Sequence, residues 1–359
     1  MADALRVALF GYGLAGRVFH APLIAATPGL ELATIVTSDA NRQAQAAADH
    51  PGARVVSLPE DVWASASNFD LAVIATANAS HVPLAEAALD ARLHAVVDKP
   101  LAGTEREALD LIAKAATVER QIFVFQNRRF DGDFLTVRSL VDSGELGHIH
   151  RFESRFERFR PVATGGWREQ GGPDQLPGLL YDLGAHLVDQ ALVLLGEARS
   201  VFAIARTVRD AQSADDDTQI IISHTSGAVS ILWASAVAAF TDPRMRVLGT
   251  LGGYEVNGLD GQESALLDGV SPGSETYGVS AESEWGTLRK RGADGSDEIR
   301  RVETVRGRWP QFYHDVVHFL SEGKPAPVLA TEVLEQLRVL QAARQSAASG
   351  EVVSLKPND

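Results

Sequence analysis

The sequence predicts an α/β domain with a doubly wound parallel sheet over residues 1–126, followed by an α+β domain with a mainly antiparallel sheet over residues 127–359. Three observations predict this. Short apolar runs alternate with helical patterns as far as residue 126. A Gly-x-Gly-x-x-Gly loop follows the first of those runs. Beyond residue 143 the runs lengthen and several alternate apolar with polar, the pattern of a sheet with one wet face.

In order, Leu5 to Phe10 reads as a buried strand ending at glycines, and Leu14 to Ala26 as a helix that kinks or restarts at Pro22, which lacks an N–H. Glu31 to Val36 is a strand, Asn41 to His50 a helix stopped by Pro51-Gly52, and Arg54 to Val56 a short strand. Asp70 to Thr76 is a fourth strand, Val82 to Ala91 a helix, and His94 to Asp98 a fifth strand. Thr104 to Thr117 is a helix with Glu105 and Glu107 in its first turn, and Gln121 to Gln126 a sixth strand. Apolar strands separated by helices imply right-handed crossovers in one parallel sheet.

The second half opens with a helix at Phe130 to Ser143. Strands are expected at His148 to Phe159, Ser200 to Arg209, Thr218 to Ser223, Ala228 to Val237, Trp285 to Arg291 and Glu298 to Val305. One helix, Leu179 to Leu195, interrupts them, and two close the chain near Phe312 to Ser321 and Thr331 to Ala347.

Composition narrows the function. The 359 residues carry 33 Lys plus Arg against 47 Asp plus Glu, a formal charge of −14, which argues against nucleic acid or an anionic membrane surface as partner. With no cysteine the chain has no disulfide, thiolate nucleophile or Cys-held metal. No apolar run reaches the ~20 residues of a membrane span, and the N-terminus lacks a secretory apolar segment, so a cytoplasmic protein is expected.

Gly11-Tyr12-Gly13-Leu14-Ala15-Gly16 sits between the first strand and the first helix. In that context the glycines serve a tight turn, backbone approach to a pyrophosphate and close helix–strand packing, so the loop predicts dinucleotide binding. NAD sites usually place an acid at the end of the second strand for the ribose 2′-OH. Here that place is Thr37, followed by Ser38, with Asp39 two residues late and Arg42 beyond. Neutral hydroxyls beside an arginine favour the 2′-phosphate of NADP over NAD, while Asp39 could simply cap the next helix.

Further motifs resemble one family. Thr76-Ala77-Asn78-Ala79-Ser80-His81 ends the fourth strand, Asp98-Lys99-Pro100 ends the fifth, and Asp182-Leu183-Gly184-Ala185-His186 lies on the mid-chain helix. With the glycine loop these resemble the glucose–fructose oxidoreductase/inositol dehydrogenase/MocA family, over nearly the whole chain. Phe19-His20-Ala21-Pro22-Leu23, Asn127-Arg128-Arg129-Phe130-Asp131, Trp167-Arg168-Glu169 and Tyr181-Asp182-Leu183 resemble its NADP-dependent scyllo-inositol dehydrogenase subgroup. Two departures are Asp98 where the family often has Glu and Ala77 where it often has Pro. The resemblance implies a Rossmann domain, a second domain with a large open sheet, and a cofactor site that includes Thr76, Asn78, His81, Asp98 and Lys99.

Oxidation of a secondary alcohol needs a group to take the hydroxyl proton as the C–H bond breaks. Lys99 stands at the C-terminal end of a strand, where ligands of open α/β sheets bind, and Pro100 holds it extended. Asp182 and His186, four apart on one predicted helix, share a face, and a carboxylate near an imidazole fixes its tautomer. Asp189 is an alternative partner for His186. The resemblance implies that His186 is the main acid/base, that Lys99 polarises the reacting oxygen, and that Asp182 binds substrate and tunes the pair. Arg128, Trp167, Arg168 and Tyr181 are candidates for the substrate rim, with packing and salt bridges as their alternative role.

His314 and His318 mimic a zinc-protease spacing, but Asp315 replaces its Glu and no third ligand is evident, so no metal is expected. His148 and His150 read as a solvated pair, and Gly269-Val270-Ser271-Pro272-Gly273 as a loop rather than a nucleophile elbow. The expected activity is hydride transfer between NADP, or NAD, and a cyclic polyol or sugar. The alternatives are a nicotinamide-dependent glycoside-processing enzyme and a non-catalytic dinucleotide sensor. A homo-oligomer, dimer or tetramer, is expected through the second sheet, with Val201, Ile204, Ile220, Ile222, Ile231 and Trp233 as interface or core.

Overall fold

The computed structural model describes residues 4–163, 165, 169, 176–209, 214–292 and 294–355. The chain forms two compact units, the first from residues 1–127, 262–277 and 308–334, the second from 128–261, 278–307 and 335–359.

In the first unit six strands form one parallel sheet: β1 (Leu5–Phe10), β2 (Leu30–Val36), β3 (Arg54–Val56), β4 (Leu71–Ile74), β5 (His94–Asp98) and β6 (Ile122–Phe125). Their order is β3-β2-β1-β4-β5-β6, the doubly wound arrangement expected. The C-terminal ends are level across the middle of the sheet, with Phe10 beside Ile74 and Ile74 beside Val97. All four residues of β4 are buried, because helices cover both faces.

The helix expected from Leu14 to Ala26 is two pieces, a π-helical turn at Ala15–His20 and an α-helix at Ala21–Ala26. The change falls just before Pro22, which cannot donate to the turn before it. Helix Glu105–Thr117 starts at a capping box: the Glu107 amide donates to Thr104 Oγ1 at 3.2 Å and the Thr104 amide to Glu107 Oε2 at 2.9 Å. Helix Pro310–Glu322 belongs to this unit, since the Val124 amide donates to the Val328 carbonyl at 3.1 Å and Phe125 packs edge-on to Phe312 at 5.0 Å.

Among the described residues the second unit holds nine strands: β7 (Ile149–Glu157), β8 (Ala198–Arg206), β9 (Asp217–His224), β10 (Val229–Ser235), β11 (Met245–Gly249), β12 (Gly252–Val256), β13 (Gly286–Arg291), β14 (Asp297–Val302) and β15 (Val353–Ser354). Their order is β14-β13-β12-β11-β7-β10-β9-β8-β15. Every named pair is antiparallel except β7 with β10. On β9 the burial alternates strictly, as a sheet with one covered face requires.

Two differences from expectation stand out. Strands β11 and β12 were not legible, because Gly249, Gly252 and Gly253 interrupt the alternation. A side chain at Gly252 would meet the Arg289 carbonyl at 2.7 Å, so close backbone packing demands the glycine. The expected helix from Leu179 to Leu195 is broken into Leu179–Asp182 and Gly184–Leu195. Glycine weakens a helix by about 1 kcal/mol relative to Ala, and Gly184 sits at the break.

Candidate active site

The glycine loop leaves β1 at Gly11, whose φ of +96° favours glycine. A Cβ there would lie 2.5 Å from the Ala75 carbonyl oxygen, and one at Gly16 only 2.0 Å from the Gly11 carbonyl oxygen. These two glycines are therefore required by the protein's own packing. Gly13 is different: a Cβ there would meet only Arg42, at 3.8 Å from a guanidinium nitrogen. Open space over a loop glycine, bordered by a cation and backed by the start of a helix, fits a pyrophosphate. The Tyr12 side chain is buried and its hydroxyl donates to Asp49 Oδ2 at 3.0 Å. Leu14 is half exposed and Ala15 opens the π-helical turn.

At the end of β2, Thr37 is buried and Ser38 and Arg42 are exposed. Asp39 caps helix Ala40–Asp49, its Oδ1 accepting the Arg42 amide at 2.9 Å. Gln43, which the sequence did not single out, ties this end down by donating to the Thr37 carbonyl and Ser57 Oγ, both at 2.8 Å. No carboxylate replaces Thr37.

Beyond β4, Thr76 and Asn78 are partly exposed. His81 is only 1% exposed, and its Nδ1–H donates to the Pro100 carbonyl at 2.7 Å. Burial pushes its pKa down and outweighs the pull of Asp98. His81 was expected in the cofactor site; its side chain is a buried brace that holds the segment carrying Lys99. Asp98 Oδ1 accepts the Lys99 amide at 2.8 Å, which fixes the residue at the C-terminal end of β5. Burial would raise the Asp98 pKa, but His20, Lys99 and His81 outweigh it and hold the carboxylate ionised.

In the second unit His186 is buried on the first turn of helix Gly184–Leu195, and Asp182 ends the short helix before it. Between them Leu183 keeps right-handed helical angles, and its amide bonds the Leu179 carbonyl at 3.0 Å. The His186 amide bonds the Leu183 carbonyl at 3.1 Å. Asp189 is committed elsewhere: Arg129 donates to both its oxygens at 2.8 Å. The His186 ring lies 6.4 Å from the ring of Phe156. The guanidinium carbons of Arg128 and Arg244 stand 4.9 and 4.0 Å from that same ring.

Arg128 is 6% exposed and paired with Asp131 at 3.3 Å. Gln190 links the two arginines, donating to the Arg128 carbonyl at 2.9 Å and accepting from Arg244 at 3.3 Å. Arg244, Gln190 and Phe156 carry no sequence signal, since they meet only through folding. Tyr181 is buried beside Asp182 in the chain. Trp167 and Arg168 lie outside the described residues. Among the described residues no cluster of three His, Cys, Asp or Glu could hold a metal, and His318 pairs with Glu322 at 3.0 Å.

Residues 5–126 match the oxidoreductase family with an NAD-binding Rossmann fold, and residues 134–255 match the GFO/IDH/MocA C-terminal domain. The chain is 39% identical over 348 residues to uncharacterized oxidoreductase YdgJ of Escherichia coli (strain K12), covering 97% of each chain. It is 30% identical over 357 residues to scyllo-inositol 2-dehydrogenase (NADP(+)) IolW of Bacillus subtilis (strain 168), covering 99% of this chain and 97% of that one. The solved structure of yvaA from Bacillus subtilis has a TM-score of 0.93 at 29% identity, with 99% of each chain covered. Similarity that runs the length of the chain, with the glycine loop at one family domain's start and Asp182 and His186 inside the other, makes this protein a member of the GFO/IDH/MocA family of NAD(P)-dependent oxidoreductases.

Proposed function

We propose that the protein transfers hydride between NADP and a secondary alcohol, or the matching ketone, of a cyclic polyol or sugar such as an inositol. The observation that carries this reading is the Asp98–Lys99 contact. It sets a lysine at the C-terminal edge of the same parallel sheet that carries the glycine loop, two strands or roughly 10 Å away. That edge is where ligands of open α/β sheets bind. The bound nicotinamide supplies the hydride acceptor or donor.

In this reading Lys99 stabilises charge developing on the reacting oxygen, and His186 takes the hydroxyl proton during oxidation or returns it during reduction. Asp182 binds substrate hydroxyls and tunes His186, with Arg128, Tyr181, Trp167 and Arg168 as further substrate groups. Thr76, Asn78 and the backbone of Tyr12, Leu14 and Ala15 complete the cofactor site.

NADP is favoured over NAD because Thr37 and Ser38 are neutral, the Asp39 carboxylate is engaged in capping, and Arg42 lies exposed beside Gly13. The relative named as NADP-dependent supports the same choice. A dehydrogenase screen of inositol isomers and aldoses with both cofactors tests the reading: accumulation of NADPH with a polyol is expected. Turnover that leaves the cofactor oxidised would favour glycoside processing instead.

A homo-oligomer through the second sheet belongs to this proposal. Of the residues expected to serve it, Val201, Ile220 and Ile222 are buried in the unit's own core. Ile204 is 38% exposed, and Ile231 and Trp233 are partly exposed on the other face. Cytoplasmic residence also remains a proposal; no described helix is long and apolar enough to cross a membrane.

A further inference from the structure

A polar trio lies inside the aromatic core of the first unit. His20 is fully buried, its ring 4.2 Å from that of Phe125. Its Nδ1 is 2.6 Å from the hydroxyl of Tyr313, which is also fully buried. Its Nε2 has no hydrogen-bond partner and stands 3.9 Å from Asp98 Oδ2. An imidazole and a phenol at this depth cost solvation that two phenylalanines would not.

The protons in this trio can be assigned. Burial first, and the Asp98 charge second, push the Tyr313 ionisation well up, so its hydroxyl keeps its proton. Were Nδ1 the protonated nitrogen of a neutral His20, the bare Nε2 lone pair would face a carboxylate. Of the two neutral tautomers, the one without that repulsion has Tyr313 donating to Nδ1 and Nε2–H facing Asp98 Oδ2, 3.9 Å away. The other Asp98 oxygen accepts the Lys99 amide at 2.8 Å. A tyrosine on helix Pro310–Glu322 thus holds an imidazole against the carboxylate that accepts the Lys99 amide; the imidazole–carboxylate step, at 3.9 Å, is electrostatic rather than a hydrogen bond.

We propose that His20 and Tyr313 are positioning residues for Lys99, acting through the orientation of the Asp98 carboxylate. The inference rests on the reading of Lys99 given above. It also gives a reason for segment 308–334 to pack into the first unit: that segment delivers the Tyr313 hydroxyl.

The test uses the full chain and Tyr313→Phe, which removes one oxygen and leaves the ring packing in place. Two readouts need no substrate. Nitrogen-15 NMR of His20 should show the neutral Nε2–H tautomer in the wild type, and the Lys99 amide should exchange at least tenfold faster in Tyr313→Phe at unchanged melting temperature. The third uses whichever inositol isomer is turned over: kcat should fall about tenfold with the dinucleotide KM unchanged. In a Lys99→Ala background the same change should cost less than twofold.

An Nδ1–H tautomer, unchanged Lys99 exchange, or an equal kcat loss with and without Lys99 would overturn the proposal. Lys99→Ala with wild-type kcat would overturn the underlying reading and this one with it. If Lys99→Ala is crippled while Tyr313→Phe behaves as wild type, only the positioning role fails.

Discussion

Asp39 Oδ1 accepts the Arg42 amide at 2.9 Å, so the acid nearest the end of β2 terminates a helix. A ribose-binding carboxylate would have to be introduced. Thr37→Asp should therefore lower the NADP-to-NAD ratio of kcat/KM by at least about tenfold, through ribose hydrogen bonding and repulsion of the 2′-phosphate. Arg42→Ala should weaken NADP and leave NAD nearly unchanged. A wild-type enzyme that prefers NAD sinks this paragraph.

The loop glycines should separate by phenotype. Gly13→Val adds carbons where only Arg42 stands nearby, so the variant should fold with a normal melting temperature yet lose dinucleotide binding in calorimetry. Gly16→Val collides with the Gly11 carbonyl oxygen, 2.0 Å from its Cβ, and should lose several kcal/mol of stability. Equal effects of the two changes on folding would contradict the geometry.

If His186 moves the alcohol proton and Lys99 steadies the oxygen, each change to Ala should lower kcat by ~10²–10⁴ while dinucleotide binding survives. The double variant should lose less than the product of the two, because groups serving one proton transfer act as a unit. The decisive measurement is single-turnover hydride transfer in cofactor-saturated His186→Ala. A wild-type rate there removes His186 from the mechanism.

Acid stability should depend on His94. Its Nδ1 accepts the Gln121 amide at 3.1 Å, and burial, helped by Arg120, pushes its pKa down from 6.5 to about 4. A depressed histidine favours the fold while neutral: its contribution is complete above pH ~6.5 and is lost as pH falls toward 4. With partial exposure discounted, the loss is on the order of 1 kcal/mol. Urea midpoints should fall less between pH 7.5 and 5 in His94→Asn than in the wild type. Identical pH slopes would exclude His94 as a source.

If the outer face of the second sheet joins subunits, Ile204→Glu with Ile231→Glu should dissociate the oligomer in sedimentation at low micromolar concentration. Monomeric wild-type protein would end that proposal.

The glycine loop, the six parallel strands and the place of Lys99 at a strand end were legible in the sequence because each is local. A strand, a turn and a helix start are specified by neighbouring residues, and Leu5–Phe10, Arg54–Val56 and His94–Asp98 fall where their apolar runs place them. Asp98-Lys99-Pro100 and Asp182 to His186 were legible as short strings.

Tertiary structure decided what depends on distant partners. Residues 262–277 and 308–334 join the first unit although the chain enters the second before reaching them. Trp309 is held there by Gln262, 2.7 Å from its amide, and Tyr313 meets His20 across 293 positions of sequence. Arg244 reaches Phe156 because β7 pairs with β11 beside it, and Arg128 meets the same ring from a turn outside that pair. The bracing role of the His81 side chain was illegible for the same reason. Its burial and its bond to Pro100 are set by how β4 and β5 lie side by side, which no window of sequence around His81 contains.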